Sequence, residues 1–265
     1  LTTPERPIVF YVDDTFPAGW YDAIRRGLLS WNAAFEKIGY RDAVQVRPYP
    51  RDDASFDPND IKFSCVKYAN TMGESLSSSA RIDPRSGEIL SATICIPHNV
   101  TSRIRTDLFV QLGAADPDAR RVKMSPELFG KALAADVARH TGACLGLAVN
   151  YAGSYCVPVD SLRSPSFTQR YGISASIMDE LPYNLVAQPG DKERGVALMQ
   201  QGPGVYDEYV VDWLYRPVPG AATPEDEVAE LDRRIAARRS DPMCLYTPPP
   251  VAVALDPRSM PYNLG

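Results

Sequence analysis

Ala135-Asp136-Val137-Ala138-Arg139-His140-Thr141-Gly142-Ala143-Cys144-Leu145-Gly146-Leu147-Ala148-Val149-Asn150 is the stretch whose reading decides the fold. It has the pattern of the last turns of a helix running into a glycine bend. Upstream, Ser125-Pro126-Glu127-Leu128 supplies a Ser N-cap and a Pro at the first helical position, so the helix is expected to begin there. Leu128, Ala132, Ala135 and Arg139 then share one face, and Leu133, Val137, His140 and Cys144 the adjoining one. Ala132, Ala134, Ala135 and Ala138 are small enough to let this helix pack closely on a sheet, as the buried centre of a domain. His140 and Cys144 are four apart, a spacing that suits two ligands of one Zn²⁺. The competing reading makes His140 padding on a packed helix and Cys144 a small buried hydrophobe.

The chain of 265 residues is 45% hydrophobic and 23% charged, ordinary globular composition with enough length for a sizeable core. A formal net charge of -5 leaves no nucleic-acid footprint. No run approaches the roughly 18 apolar residues of a membrane span. Leu1 is not an initiator Met, so the chain is expected to be an excised piece of a longer one. The five cysteines, Cys65, Cys95, Cys144, Cys156 and Cys244, form no C-x-x-C pair, and their disulfide status stays open. Only two histidines exist, His98 and His140, so a three-histidine metal site cannot be assembled from this chain.

Outward from the central helix, Pro7 to Val12 reads as a strand. Trp20, Ile24, Leu28, Trp31, Phe35 and Ile38 predict one long amphipathic helix over about 17–38, ended by Gly39. Val44 and Val46 mark a second strand, parallel to the first by default, and 61–68 a third. The turn Asp83-Pro84-Arg85-Ser86-Gly87-Glu88 joins an extended segment near Ala80–Ile82 to a strand over 89–96, which makes the sheet mixed. Cys65 and Cys95 then stand on strands that can be neighbours, either bridged or unpaired. Asn99-Val100-Thr101 matches a glycosylation sequon. A helix is expected over about 99–113, broken by Asp116-Pro117-Asp118. Gly204 to Tyr215 reads as a short helix. Thr223-Pro224-Glu225-Asp226-Glu227 opens another, with Val228, Leu231 and Ile235 as its apolar face. The remainder, with 24 prolines in the chain as a whole, is loop-rich.

Gly142-x-x-Leu145-Gly146-Leu147-x-x-Asn150 resembles the zinc-binding helix of metzincin-like peptidases, which carry H-E-x-G-H-x-L-G-L-x-H-N or a close variant. Ser176-x-Met178-Asp179 resembles their Met-turn, although a Met there is equally a core filler. Pro7 to Val12, Trp31-Asn32-x-Ala34-Phe35, Ala43 to Val46, the Asp83 to Leu90 turn, Gly204 to Tyr215 and Asp256-Pro257-Arg258 extend the likeness over most of the chain. The family is that of bacterial zinc-dependent metallopeptidases found in large secreted or envelope proteins. The resemblance implies a zincin-like α/β fold: a twisted mixed sheet on long helices, a central active-site-type helix and an irregular lower part. It implies one domain over 1–265, with an upper part to about 150 and a lower part from about 151, in an extracytoplasmic (periplasmic, cell-surface or secreted) protein.

Aligned on that frame, Arg139 stands at the first ligand, His140 at the general base, Ala143 at the second ligand and Val149 at the third. Ala and Val offer no lone pair, and Arg brings a permanent positive charge. Arg139, His140, Ala143, Val149 and Met178 are therefore expected to line a vestigial cleft with no catalytic residue and no metal, although the family is zinc-dependent. A frame slipped by one leaves His140 and Cys144 as the residual metal pair. Three functions follow. The first is an inactive pseudo-peptidase that binds or scaffolds, with an extended peptide or protein segment along the sheet edge near Thr93–Ile96, or other domains of the same chain, as partner. The second is a hydrolase with an altered site drawn from His140, Cys144, Asp136, Asp179 and Cys156. The third is a purely structural domain, its cleft filled by an Arg139 guanidinium bonded to Asp179 or Glu180.

Overall fold

The computed structural model describes residues 1–248. Alternating inward side chains of β1 (Ile8–Val12) bury Phe10 and Val12 next to the central strand of a five-stranded sheet of order β2-β1-β3-β5-β4. β2 (Val44–Pro48) and β3 (Ser64–Ala69) flank β1 in parallel, and β5 (Ile89–Pro97) runs parallel to β3. β4 (Ser77–Ile82) is antiparallel to β5, so the sheet is mixed as the turn composition predicts. The free edge beside β5 is β4; β5, where an edge was expected near Thr93–Ile96, has strands on both sides.

Two other boundaries differ from the sequence reading. The helix expected over 17–38 is split into α1 (Trp20–Leu29) and α2 (Asn32–Lys37). Between them the Ser30 hydroxyl donates to the Gly27 carbonyl at 2.7 Å, a side-chain bond of the kind that bends helices. Trp31 then turns fully into the core, its indole Nε1 donating to the Ala138 carbonyl at 2.8 Å. The third strand starts at Ser64 rather than 61, because Asp60 captures the Lys62 amide at 3.0 Å and closes a turn that leaves Ile61 exposed.

α3 (Val100–Leu112) buries Val100, Ile104, Leu108 and Leu112 on one face. A 3-10 turn at Pro117–Arg120 follows, opened by the Asp116 carboxylate accepting from the Asp118 amide at 2.9 Å. α4 (Pro126–Cys144) is capped by Ser125, whose hydroxyl accepts from the Leu128 amide at 3.1 Å. The helix continues through Gly142 and stops where Gly146 takes φ 93. There the Leu147 amide bonds back to the Gly142 carbonyl at 3.0 Å and the Gly146 amide to that of Ala143 at 3.2 Å, a Schellman closure.

The lower part carries the short helices α5 (Ala152–Tyr155) and α6 (Pro165–Tyr171), then α7 (Val205–Tyr215) and α8 (Pro224–Arg238). One apolar core joins sheet, α1, α3 and α4 to Ile177, Met178 and Val211, and a small satellite gathers Val157, Leu162 and Ile173. The face expected to bury α8 does not: Val228 and Ile235 are exposed, and it is Arg234 that turns inward, donating to the Asp212 and Arg216 carbonyls at 3.1 Å. Among the described residues, no helix is long and apolar enough to cross a membrane. The Asp256-Pro257-Arg258 segment lies outside the described residues.

Candidate active-site cleft

The floor of the site is built by packing. Met178 is buried against α4 at Gly142, where a Cβ would lie 2.5 Å from the Met178 sulfur and 2.6 Å from Trp31 Cζ2. Only hydrogen fits between those groups. The loop that carries Met178 is held from below by Asp207 of α7. Its fully buried carboxylate accepts from the Ser176 hydroxyl at 2.5 Å, the Ile177 amide at 2.7 Å and the Gly204 amide at 2.7 Å. Burial pushes Asp207 up to about 7, against the pull of those three donors. Asp179 plays a similar part, accepting from the Ser154 amide at 2.5 Å, the Ser174 hydroxyl at 3.1 Å and the Leu181 amide at 3.3 Å. Both carboxylates are consumed by local structure.

Asn150 ties the bend to this floor. Its amide donates to the Met178 carbonyl at 3.2 Å, its side-chain nitrogen to the Leu245 carbonyl at 2.9 Å, and its side-chain oxygen accepts from Ala152 at 3.0 Å and Thr247 at 3.0 Å. The frame residues Gly142, Gly146, Asn150 and Met178 are thus brought together as the sequence spacing implies.

The face of α4 above that floor differs in chemistry. Ala143 is exposed and Val149 half-buried, so the positions of the second and third ligands open toward solvent without a donor atom. Arg139 forms an ion pair with Glu180, one of the two carboxylates expected for it. Its side chain lines a cavity of about 200 Å³ shared with Arg103, Asp107, Asp136 and Glu180. There Arg103 bonds Asp136 and, at 2.9 Å, Asp107. Burial pushes the Asp136 carboxyl up, opposed by the Arg103 charge.

His140 reaches β4, with Nδ1 and the Ser78 hydroxyl hydrogen-bonded at 2.9 Å. Burial, reinforced by the Arg139 and Arg103 charges, lowers its imidazole to about 4, so it is neutral at pH 7. Cys144 lies on the buried side of α4, and burial pushes its thiol up to about 12. Among the described residues no hydrogen bond joins His140 to Cys144, and a thiol held protonated is a poor nucleophile. Cys156 donates to the Gly153 carbonyl at 3.1 Å, and its thiol too is pushed up by burial.

All five cysteines are free. Register explains the pair on neighbouring strands: Cys65 is opposite Thr93 and Cys95 opposite Lys67, an offset of two residues. With strands ~4.8 Å apart and a rise of ~3.3 Å per residue, that offset separates the Cα atoms by roughly 8 Å, beyond disulfide reach.

The family's zinc does not fit this set of side chains. Among the described residues no group of three or more His, Cys, Asp or Glu is arranged to hold a metal ion. Arg139, Ala143 and Val149 supply no ligand, and His140 in the general-base position is spent on Ser78. Sequence reasoning named the frame and the cleft residues but assigned no role to Asp207 or Ser78. For Asp207 a signal existed: Gly204 with an acid three residues on, at a helix start, is the spacing of an N3 side chain returning to the N-cap amide. For Ser78, a polar residue on a serine-rich strand, there was none.

No curated protein and no solved structure matches the chain. A family model described as Met-zincin matches residues 121–265, more than half of it. The matched part takes in α4, the Gly146 bend, the Met178 turn and α7; the sheet and the Trp31-Asn32 helix, which also carry the likeness, lie before it. With the mixed sheet and helices found here the fold is zincin-like, and the chain belongs to the Met-zincin family.

Proposed function

We propose that this domain is a pseudo-peptidase that binds or scaffolds through the peptidase cleft and does not hydrolyse. One observation carries the reading: Arg139, Ala143 and Val149 occupy the ligand positions of a helix whose bend and methionine floor are otherwise intact. The proposal includes the absence of a resident metal.

The same frame supports an occupant. β4 is a short edge strand with half-exposed residues, no proline and Arg81 as its one charge, so its outer backbone groups are free to pair with an extended peptide. His140 clamps this strand to α4, which keeps edge and cleft in register. An extended segment of another protein, or of another domain of the same chain, is the partner this geometry suits. That partnership is extracytoplasmic in this reading, which the family resemblance supports. The altered-site hydrolase gains no support from the geometry, with Cys144 buried and His140 turned to Ser78.

The test is metal analysis of the purified chain together with hydrogen exchange in the presence of a panel of extended peptides. We expect no stoichiometric zinc, no peptide cleavage and slowed exchange across Ser77–Ile82 with the peptides that bind. One tightly held zinc per chain with peptide turnover overturns the reading, and so does peptide protection confined to other elements.

A further inference from the structure

On the side of α3 turned away from Arg103 and Asp107 of the cleft cavity lies a second feature. A groove of about 740 Å³ runs between the outer face of α3 and the segment Ala119–Met124. Four cations line it, Arg105, Arg120, Arg121 and Lys123, and no acid does. Arg121 is paired with Asp118 at 3.0 Å; among the described residues the other three have no carboxylate within 4.0 Å. Apolar groups accompany the charge: Phe109 is 57% exposed and Val122 84% exposed, both lining the groove. A desolvated apolar contact ringed by unpaired cations suits an acidic amphipathic helix.

The chain presents such a helix. Arg234 anchors α8 inward, which at 3.6 residues per turn sends Glu225 and Asp232 to the opposite side and Val228 to its flank, while Ile235 keeps toward α7, lining a cavity with Val210 and Trp213. Val228 and Ile235 are exposed, and neither Glu225 nor Asp232 has a cation partner among the described residues. In a chain of net charge -5 the groove is a local exception, so copies of the chain carry the complement to it.

We propose that the groove between α3 and Ala119–Met124 receives the outer face of α8 from a second copy of the chain. The two surfaces differ, so the contact is head-to-tail and self-association is open-ended. It depends on exposed charges and therefore weakens with salt.

The experiment uses two variants in sedimentation velocity, Arg105→Glu/Lys123→Glu reversing the groove and Glu225→Gln/Asp232→Asn neutralising α8, so that the two altered surfaces do not complement each other. Every position changed is exposed or bonded to nothing, and thermal melting checks that both variants fold. The unmodified chain is expected to associate with rising concentration at low salt, with affinity falling about tenfold or more in half-molar salt. Each variant alone is expected to be monomeric. Mixed in equal amounts they are expected to form a one-to-one complex that grows no further, because one intact groove meets one intact α8. A chain that stays monomeric at every concentration overturns the proposal. So does a mixture that stays monomeric, or association unchanged in either variant. Groove-dependent sedimentation of a monomeric chain with phosphatidylserine vesicles also overturns it, in favour of a membrane surface.

Discussion

The two faces of the end of α4 have been treated differently. The underside is packed to the limit: Gly142, Met178 and Trp31 leave no room for a methyl group, and Asp207 fixes the loop below with three hydrogen bonds. The upper side, where the motif of the family puts its ligands, carries an ion-paired arginine, a histidine bonded to the neighbouring strand, an alanine and a valine. The difference teaches that the floor of this fold is built from buried side chains and hydrogen bonds that need no ligand residue. A structural metal supplies folding energy directly. Here buried side chains hold the floor, and the ligand positions carry no donor set for such a metal.

The largest test of that contrast restores the missing chemistry. The variant Arg139→His/His140→Glu/Ala143→His/Val149→His is expected to bind one zinc per chain, because the floor and bend still hold those four positions. Free zinc at a thousandfold excess over the dissociation constant stabilises by about 4 kcal/mol, read as a rise in Tm. A grafted chain that folds but takes no zinc breaks the claim that the frame is kept.

The second test strikes the floor. Asp207→Ala removes the acceptor for two buried amides and a hydroxyl, and is expected to cost about 3 kcal/mol in urea unfolding. Asp207→Asn keeps an acceptor oxygen and is expected to cost less. A loss below 1 kcal/mol for the alanine variant would show that α7 does not hold the methionine loop.

A third test uses pH. His140 has its proton affinity lowered from 6.5 to about 4 in the folded chain, so the folded state disfavours the charged imidazole. Its contribution is fully present above pH 6.5 and is lost as pH falls from there through about 4. The expected loss is about 2 kcal/mol, less than the whole shift implies because the ring is only half-buried. Other groups titrate in the same window, so the quantity to measure is the difference between the parent and His140→Gln. Identical acid profiles for the two would place His140 in solvent and detach it from Ser78.

What the sequence made legible follows the same division. The bend at Gly146, the cap at Ser125 and the hairpin at Asp83–Glu88 are written in residue types with one backbone use each, and all were found where expected. The single helix over 17–38 was misread because the apolar period runs unbroken through Ser30 and Trp31. What breaks it is a side-chain bond and the insertion of Trp31 toward Ala138, over a hundred residues later. The edge strand was misplaced for a related reason: strand order depends on pairings between distant segments, and the serines of β4 left only its end, Ala80–Ile82, legible as an extended segment. At the site, the missing ligands could be counted from two histidines alone. The Ser78 bond to His140 is a tertiary contact without a local spelling, whereas the Gly204–Asp207 spacing spells the cap of α7 but not its reach to the methionine loop.

The smallest effect is the most informative about the ligand face. Arg139 is 27% exposed and its partner Glu180 47%, so solvent screens much of their attraction. Arg139→Ala is therefore expected to cost about 0.5–1 kcal/mol, more than a surface change with no partner and far less than Asp207→Ala. The same substitution removes one of the positive charges that keep His140 neutral, so the imidazole midpoint is expected to rise toward 6.5. NMR titration of the His140 ring in the two backgrounds reads that shift directly. A cost near 3 kcal/mol would make Arg139 the structural substitute for a cation, holding the cleft together as zinc would. A negligible cost with a raised His140 midpoint would make it a charge that only tunes its neighbour, and would leave the floor as the sole support of the frame.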